Sequence, residues 1–422
     1  MPGHTSSHEV PNRIEVDVSP GERVFVVSDM HLWPKRTKAS AWAAIEVARR
    51  LNTWEGPGVL VMAGDILEMW FVEPPDPTGS LDAHPEFVEA VQSFGSKEGR
   101  RVVYLVGNHD GRLGWDEKAI SVVKDRLHAE LALTAELVLR TPKGERRVRV
   151  EHGHAYDPAN EFKNPHDPGE TPLGQHIVQE ILPEMTFADQ GWLSGVDSLS
   201  DPRTFPAFLT SRLFYRRVLK DAKWLLIPVV LFLLVRIPVT YLFLGERGQD
   251  LLPRVTRRLV MVDAIFIAFV LLMVVILLIG ARRAWHTASS AVATKRGAGQ
   301  NDNTRAAAKA FIDQGFAGMV CGHTHHPEIS EVEGGFYVNT GSGTQVVDRV
   351  PAKMGLPHVF VPRVQLSFVE LEAGDDWTVV LTAGRQAVPG STTTERRMQR
   401  KRTDAPHDLT VVGRWPGGPF TE

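Results

Sequence analysis

The sequence predicts a layered α/β fold interrupted by an inserted pair of long apolar segments. Short valine-rich runs recur along the chain, each ending in small or acidic residues. Helix-length stretches separate them, the pattern of alternating strands and helices. In mid-chain two apolar segments stand close together, each of the length a bilayer span requires.

The run Arg23 to Val27 ends at Ser28-Asp29, and Val59 to Ala63 ends at Gly64-Asp65. Val102 to Val106 leads into Gly107-Asn108, Val148 to Val150 into Glu151-His152, and Ala317 to Cys321 into Gly322-His323. All five read as buried strands, with helices expected over Ala39 to Leu51 and Pro85 to Phe94. In sheets of this kind, sites form where the strands end.

Composition narrows the function. The 422 residues include 47 basic and 50 acidic ones. That balance lacks the global footprint of a nucleic-acid binder, so no nucleic acid is expected as a partner. One cysteine, Cys321, rules out an intramolecular disulfide framework and fits a reducing compartment. It is expected to be buried packing and not a nucleophile. The first residues carry neither a basic start nor an apolar stretch, so no secretory signal is expected. There are 16 histidines, several clustered with acids and glycines, and these clusters carry the chemistry.

The two apolar segments run over 224–244 and 259–280. Each would extend roughly 30 Å as a helix, which predicts a two-helix transmembrane hairpin. Trp224 and Trp285 flank one side and Tyr241 the other. Arg236 and Asp263 interrupt the segments and are expected to pair across the hairpin or to reach towards its loop. Pro228 and Pro238 suggest a kinked first helix or a shallow insertion. Upstream, Arg212, Arg216, Arg217, Lys220 and Lys223 alternate with apolar residues as in a helix lying on an anionic membrane surface. The surplus of positive charge on the side bearing the clusters predicts an integral cell-membrane protein whose main domain faces the cytoplasm. A flexible linker is expected over 287–303 and a disordered tail over 388–422.

Five clusters stand at strand ends: Asp29-Met30-His31, Gly64-Asp65, Gly107-Asn108-His109-Asp110, His152-Gly153-His154, and Gly322-His323-Thr324-His325. They offer hard oxygen and borderline nitrogen donors and no thiolate, which excludes a structural zinc knot. The probable ligands number seven: Asp29, His31, Asp65, Asn108, His152, His323 and His325. These suffice for two divalent cations if one carboxylate bridges, and Asp65 is the best placed to do so. Manganese suits the donor set, with iron or zinc as alternatives. Such a pair can activate a shared water and clamp phosphoryl oxygens.

Taken in order, the motifs D-x-H, GD, GNHD, an isolated His beside glycine, and GHxH resemble those of the calcineurin-like metallophosphoesterase superfamily. The likeness covers Val24 to Asn160 and Phe311 to Ser342, including Asn339-Thr-Gly-Ser342. It implies a layered metallophosphoesterase β-sandwich flanked by helices, with an inserted helical cap that here contains the hairpin. An N-terminal extension over 1–22 would precede the domain, whose two parts, 23–155 and 311–387, would enclose the cap at 156–310. One metal would be held by Asp29, His31, Asp65 and His325, the other by Asp65, Asn108, His152 and His323. His109 would protonate the leaving oxygen or stabilise phosphoryl charge, with Asp110 orienting it. His154 would line the substrate pocket or pack beside His152.

The stretch from Gly64 to Phe71, GDILEMWF, is similar to GD-x-x-E-x-W of the UDP-2,3-diacylglucosamine pyrophosphatases. That family typically has arginine at the position of His109 and aspartate at that of His154. The resemblance implies hydrolysis of a phosphoester or pyrophosphate, with a lipid or nucleotide-linked lipid as substrate and membrane lipids as surroundings. Two other expectations are a membrane-tethered enzyme for a soluble nucleotide or phosphoprotein, and a membrane adaptor without catalysis.

Overall fold

A computed structural model describes residues 10–72, 75–181, 204–218, 252–293, 301–388, 390–400 and 407–417, with single or short stretches at 199, 227, 230–232, 234–236 and 238. Two sheets face each other. The larger joins β2 (Arg23–Val27), β3 (Gly58–Ala63), β4 (Arg100–Leu105) and β5 (Glu130–Ala132) as parallel neighbours. On the other flank of β2 run β12 (Val359–Ala373), β13 (Trp377–Ala387) and β14 (His407–Trp415), with β11 (Gln345–Val350) also paired to β12. The smaller sheet has the order β1 (Arg13–Val18), β6 (Thr134–Thr141), β7 (Gly144–Glu151), β8 (Gly318–Cys321), β10 (Gly335–Asn339) and β9 (Glu328–Val332).

Strand periodicity explains the layering. Successive side chains point to opposite faces. Val24, Val26, Val59, Val61 and Val103 enter the core between the sheets, where they meet Leu137, Val148, Val320 and Val338. Their neighbours Phe25, Val27, Leu60, Met62 and Tyr104 enter a second core beneath α1 (Lys38–Asn52), α2 (Pro85–Gly95) and α3 (Glu117–Leu127). Strands covered on both faces read as continuous apolar runs, which is how they stood out in the sequence. The helix Asp302–Asp313 covers the outer face of the smaller sheet through Ala308, packed with Met319, Cys321 and Tyr337. The result is a helix–sheet–sheet–helix sandwich.

Three expectations are corrected. The transmembrane hairpin is not found: among the described residues no helix is long and apolar enough to cross a membrane. Most of 224–244 lies outside the described residues. The second segment belongs to the helix Leu252–Ala293. Arg236 does pair with Asp263, Nε lying 2.9 Å from both carboxylate oxygens.

Second, two charges of the basic stretch, Arg212 and Arg216, do not face outwards, while the side chains of Arg217, Lys220 and Lys223 lie outside the described residues. Arg212 and Arg216 donate to Glu395 Oε1 at 2.5 and 3.0 Å, while Phe214 and Tyr215 pack with Val350, Val359 and Val361. Third, the tail is partly structured. Thr392 and Glu395 form a capping box on the helix Thr393–Met398, and β14 closes the edge of the larger sheet against β13. Position 13–18 of the N-terminal extension is likewise strand β1, parallel to β6.

Candidate metal centre

The site lies where the carboxyl ends of both sheets meet. Asp29 and His31 follow β2, Asp65 follows β3, and Asn108 and His109 follow β4, all from the larger sheet. His152 follows β7, and His323 and His325 follow β8, from the smaller one. Among the described residues, eight non-glycine residues have positive φ, and five of them are Asp29, His31, Asp65, His323 and His325. Left-handed backbone costs a residue with a side chain of order 1–3 kcal/mol, so the strain in this fold is concentrated on its ligands. Gly64, at φ +86°, could not carry a side chain: a Cβ there would stand 2.6 Å from the His152 ring.

Potential ligand atoms fall into three groups, each within 4.8 Å: Asp29, His31 and His325; Asp65, His152 and His323; and His31, Asp65 and His109. Asp65 belongs to two of them, the position expected of a bridge. His31 and His325 turn their Nε2 atoms towards each other at 3.2 Å, and His325 Nε2 is also 3.2 Å from Asp29 Oδ1. Two ring nitrogens and a buried carboxylate converging on one point fit a cation. In the second group, His152 Nε2 lies 3.1 Å from Asp65 Oδ2 and 3.0 Å from Asn108 Oδ1, which is also 3.0 Å from His323 Nδ1. His152 Nδ1 donates to the Ala63 carbonyl at 3.0 Å, so the other nitrogen turns to the site. All seven expected ligands are therefore brought together, and they fit two cations.

Electrostatics agree with that fit. Burial opposes charge on His152, yet Asp65 and Asp29 hold its pKa up at about 10. Two buried carboxylates thus make this point of the fold strongly favour positive charge.

The surroundings add residues that sequence reasoning did not assign. Glu68, almost fully buried, receives His31 Nδ1 and His109 Nδ1 on Oε2 at 3.0 and 2.8 Å. Its Oε1 accepts the backbone N–H groups of Trp70 and Phe71 at 2.9 and 3.2 Å. Burial pushes its carboxyl up, but the His109 and His31 imidazoles outweigh that and bring it down to about 2. Asp110, expected to orient His109, instead accepts from the backbone of Gly107 and Ile66 at 2.6 and 3.0 Å and from Tyr104 Oη at 2.6 Å. It shapes the two ligand loops, and Glu68 is the carboxylate on His109. Asn339 Nδ2 donates to the Gly322 carbonyl at 2.7 Å and fixes the turn that carries His323. Asp157 Oδ2 lies 3.0 Å from His323 Nε2.

His154 packs its ring 5.4 Å from that of His152 and 5.6 Å from that of Phe162. Among the described residues its buried Nδ1 has no hydrogen-bond partner. Burial and the neighbouring His152 lower its pKa to about 3, so it stands neutral. Cys321 is buried, and its thiol is pushed up to about 12 by that burial, consistent with packing and not with nucleophilic chemistry.

A two-sheet sandwich whose strand ends gather carboxylates and imidazoles into ligand groups around a shared aspartate defines a class of metal-binding hydrolase. Residues 22–209 match the family model described as calcineurin-like phosphoesterase, which supports a place in that superfamily. Among solved structures it is similar to phosphopantetheinyl hydrolase from Mycobacterium tuberculosis, at 9% identity over 77% of this chain and 92% of that one, with a TM-score of 0.29. It is also similar to GAP50, the anchor in the inner membrane complex of Plasmodium, at 10% identity over 93% and 90% of the two chains and the same TM-score of 0.29. No curated protein matches. The closer likeness to UDP-2,3-diacylglucosamine pyrophosphatases therefore rests on the Gly64–Phe71 motif alone.

Proposed function

We propose that the protein hydrolyses a phosphoester or pyrophosphate bond using two divalent cations, with manganese the favoured ion. The observation that carries this reading is the sharing of Asp65 between two ligand groups, one with His31 and His109 and the other with His152 and His323, while His31 also joins the group of Asp29 and His325. When bound, such a pair acts as a Lewis acid on phosphoryl oxygens and makes water acidic enough to attack at neutral pH.

The chain supplies the rest. His109 is held by Glu68 through Nδ1, which leaves Nε2 as the atom that donates a proton to the leaving oxygen. The stacked indole of Trp70 fixes the plane of that imidazole. His154, neutral and with an unpartnered buried nitrogen, lines the pocket beside the second ligand group and can hydrogen-bond a phosphoryl oxygen.

The substrate we infer is amphiphilic and met at a lipid surface. The helix Leu252–Ala293 supports this: Ile265 is 62% exposed and Leu271 60%, within a run of largely exposed apolar side chains. So large an apolar surface marks a contact with lipid or another apolar body.

The test is cleavage of bis-p-nitrophenyl phosphate and of phospholipids by the Mn²⁺-loaded protein beside Asp65→Asn. Hydrolysis lost in the variant supports the reading. Failure to cleave any of them, with the variant indistinguishable, overturns catalysis and leaves the adaptor. Faster turnover in mixed micelles than of water-soluble analogues supports the lipid surface, and the reverse order favours a soluble nucleotide or phosphoprotein.

A further inference from the structure

The insertion begins at Tyr156, shortly after His152, and its first stretch is fastened to the metal centre at one residue. Asp157 Oδ2 is 3.0 Å from His323 Nε2 and receives Asn160 Nδ2 at 2.7 Å, while Oδ1 accepts the Ala159 N–H at 3.1 Å. The Asp157 carbonyl accepts the N–H groups of Asn160 and Glu161 at 2.8 and 2.9 Å. The carboxylate is thus fixed by its own turn before it meets the imidazole.

From this turn the chain continues as a strap across the mouth of the site. Phe162 packs on the His154 ring and closes over Gly111, where a Cβ would stand 2.7 Å from the phenyl carbon. His166 Nδ1 donates to the Gly114 carbonyl at 2.9 Å, and Gly174 N donates to Ala159 O at 2.8 Å. Gln179 Nε2 then reaches the Trp70 carbonyl at 3.0 Å, on the residue that stacks against His109. One stretch of the insertion therefore touches the surroundings of both ligand groups.

Which nitrogen of His323 carries the proton follows from its partners. A carboxylate accepts and cannot donate, so Nε2 holds the hydrogen facing Asp157. Nδ1 is then left with its lone pair towards Asn108, Asp65 and His152. We propose that Asp157 is a positioning residue that presets His323 as a ligand and makes cation retention in the Asp65, His152 and His323 group depend on the docked strap. This rests on the metal-centre reading above. Carboxylates in this relation to a ligating imidazole are worth roughly 10–100-fold in metal affinity. The strap in turn is held down more firmly when the cation is present, because the two bindings share one hydrogen bond.

The experiment compares full-length wild type, Asp157→Asn and Asn160→Ala by Mn²⁺ titration and by backbone hydrogen exchange. Wild type should take two Mn²⁺ per chain, with Ala159, Asn160, Glu161 and Gly174 losing protection when EDTA is added. Asp157→Asn should keep one site and weaken the other roughly 10–100-fold, with strap protection no longer responding to Mn²⁺. Asn160→Ala, which loosens the turn without touching His323, should shift both readouts in the same direction by less, and it decides the matter should Asp157→Asn not fold. Two wild-type affinities and unchanged protection in the variants would overturn the coupling alone. Failure of wild type to take up Mn²⁺ would sink the metal-centre reading together with it.

Discussion

The indole of Trp70 lies on the imidazole of His109, ring centroids 4.0 Å apart and planes 26° from parallel. The same imidazole meets the His31 ring edge-on at 4.6 Å, and both histidines end on one oxygen of Glu68. A metal ligand and the proposed proton donor are therefore held by a single carboxylate. His109→Ala should lower kcat roughly 10²–10⁴-fold while leaving two Mn²⁺ bound. The loss should shrink for p-nitrophenolate, which leaves without help. Equal losses for good and poor leaving groups would exclude proton donation.

Asp65→Asn tests the bridge. One side chain contributes to both ligand groups, so the variant should bind fewer than two Mn²⁺ per chain. Its activity should fall by more than the roughly 10–100-fold that losing an outer partner costs. Metal analysis alongside turnover checks this, and full stoichiometry with full activity would remove Asp65 from the bridge.

Gly64→Ala probes the backbone beneath the ligands. At φ +86° the new Cβ would incur left-handed strain of about 1–2 kcal/mol and press on the His152 ring. Weaker Mn²⁺ binding accompanied by a lower Tm is expected. A drop in Tm with unchanged Mn²⁺ affinity would show that the His152 ring position does not govern binding.

The Glu395 clamp predicts an acid-sensitive insertion. Burial raises the Glu395 carboxyl, but Arg212 and Arg216 outweigh it and bring the folded-state pKa below the usual glutamate value. A depressed folded pKa contributes stability that is complete above the unfolded value of about 4.3 and is lost as pH falls below it. Glu395→Gln should destabilise the protein by about 3–5 kcal/mol near neutrality, since it leaves Arg212 buried without a counter-charge. Its Tm should also respond less to acidification than that of wild type, and parallel pH profiles would refute the clamp.

The strands that carry ligands were legible because burial on both faces makes them continuous apolar runs, and β2 spans the expected Arg23 to Val27. The ligand clusters were legible because side-chain type and strand position suffice to name them. Glu68 was legible as the acidic position of the Gly64–Phe71 motif but its role was not, because its contact with His109 depends on the parallel pairing of β3 with β4. By position alone Asp110 is the nearer carboxylate to His109, yet it turns to the backbone. The basic residues around Arg212 misled for a related reason, since their counter-charge, Glu395, is 183 positions away. β14 was hidden by the polar residues on either side of it.

Because Asp29, Asp65 and Asn108 hang from one sheet and His152, His323 and His325 from the other, a chelated ion would rivet the two halves of the sandwich. Separating the sheets requires ligands on both sides to release together, so loading should slow unfolding and raise Tm by mass action. Chelators would then act at a distance from any substrate, by converting a long-lived molecule into a short-lived one.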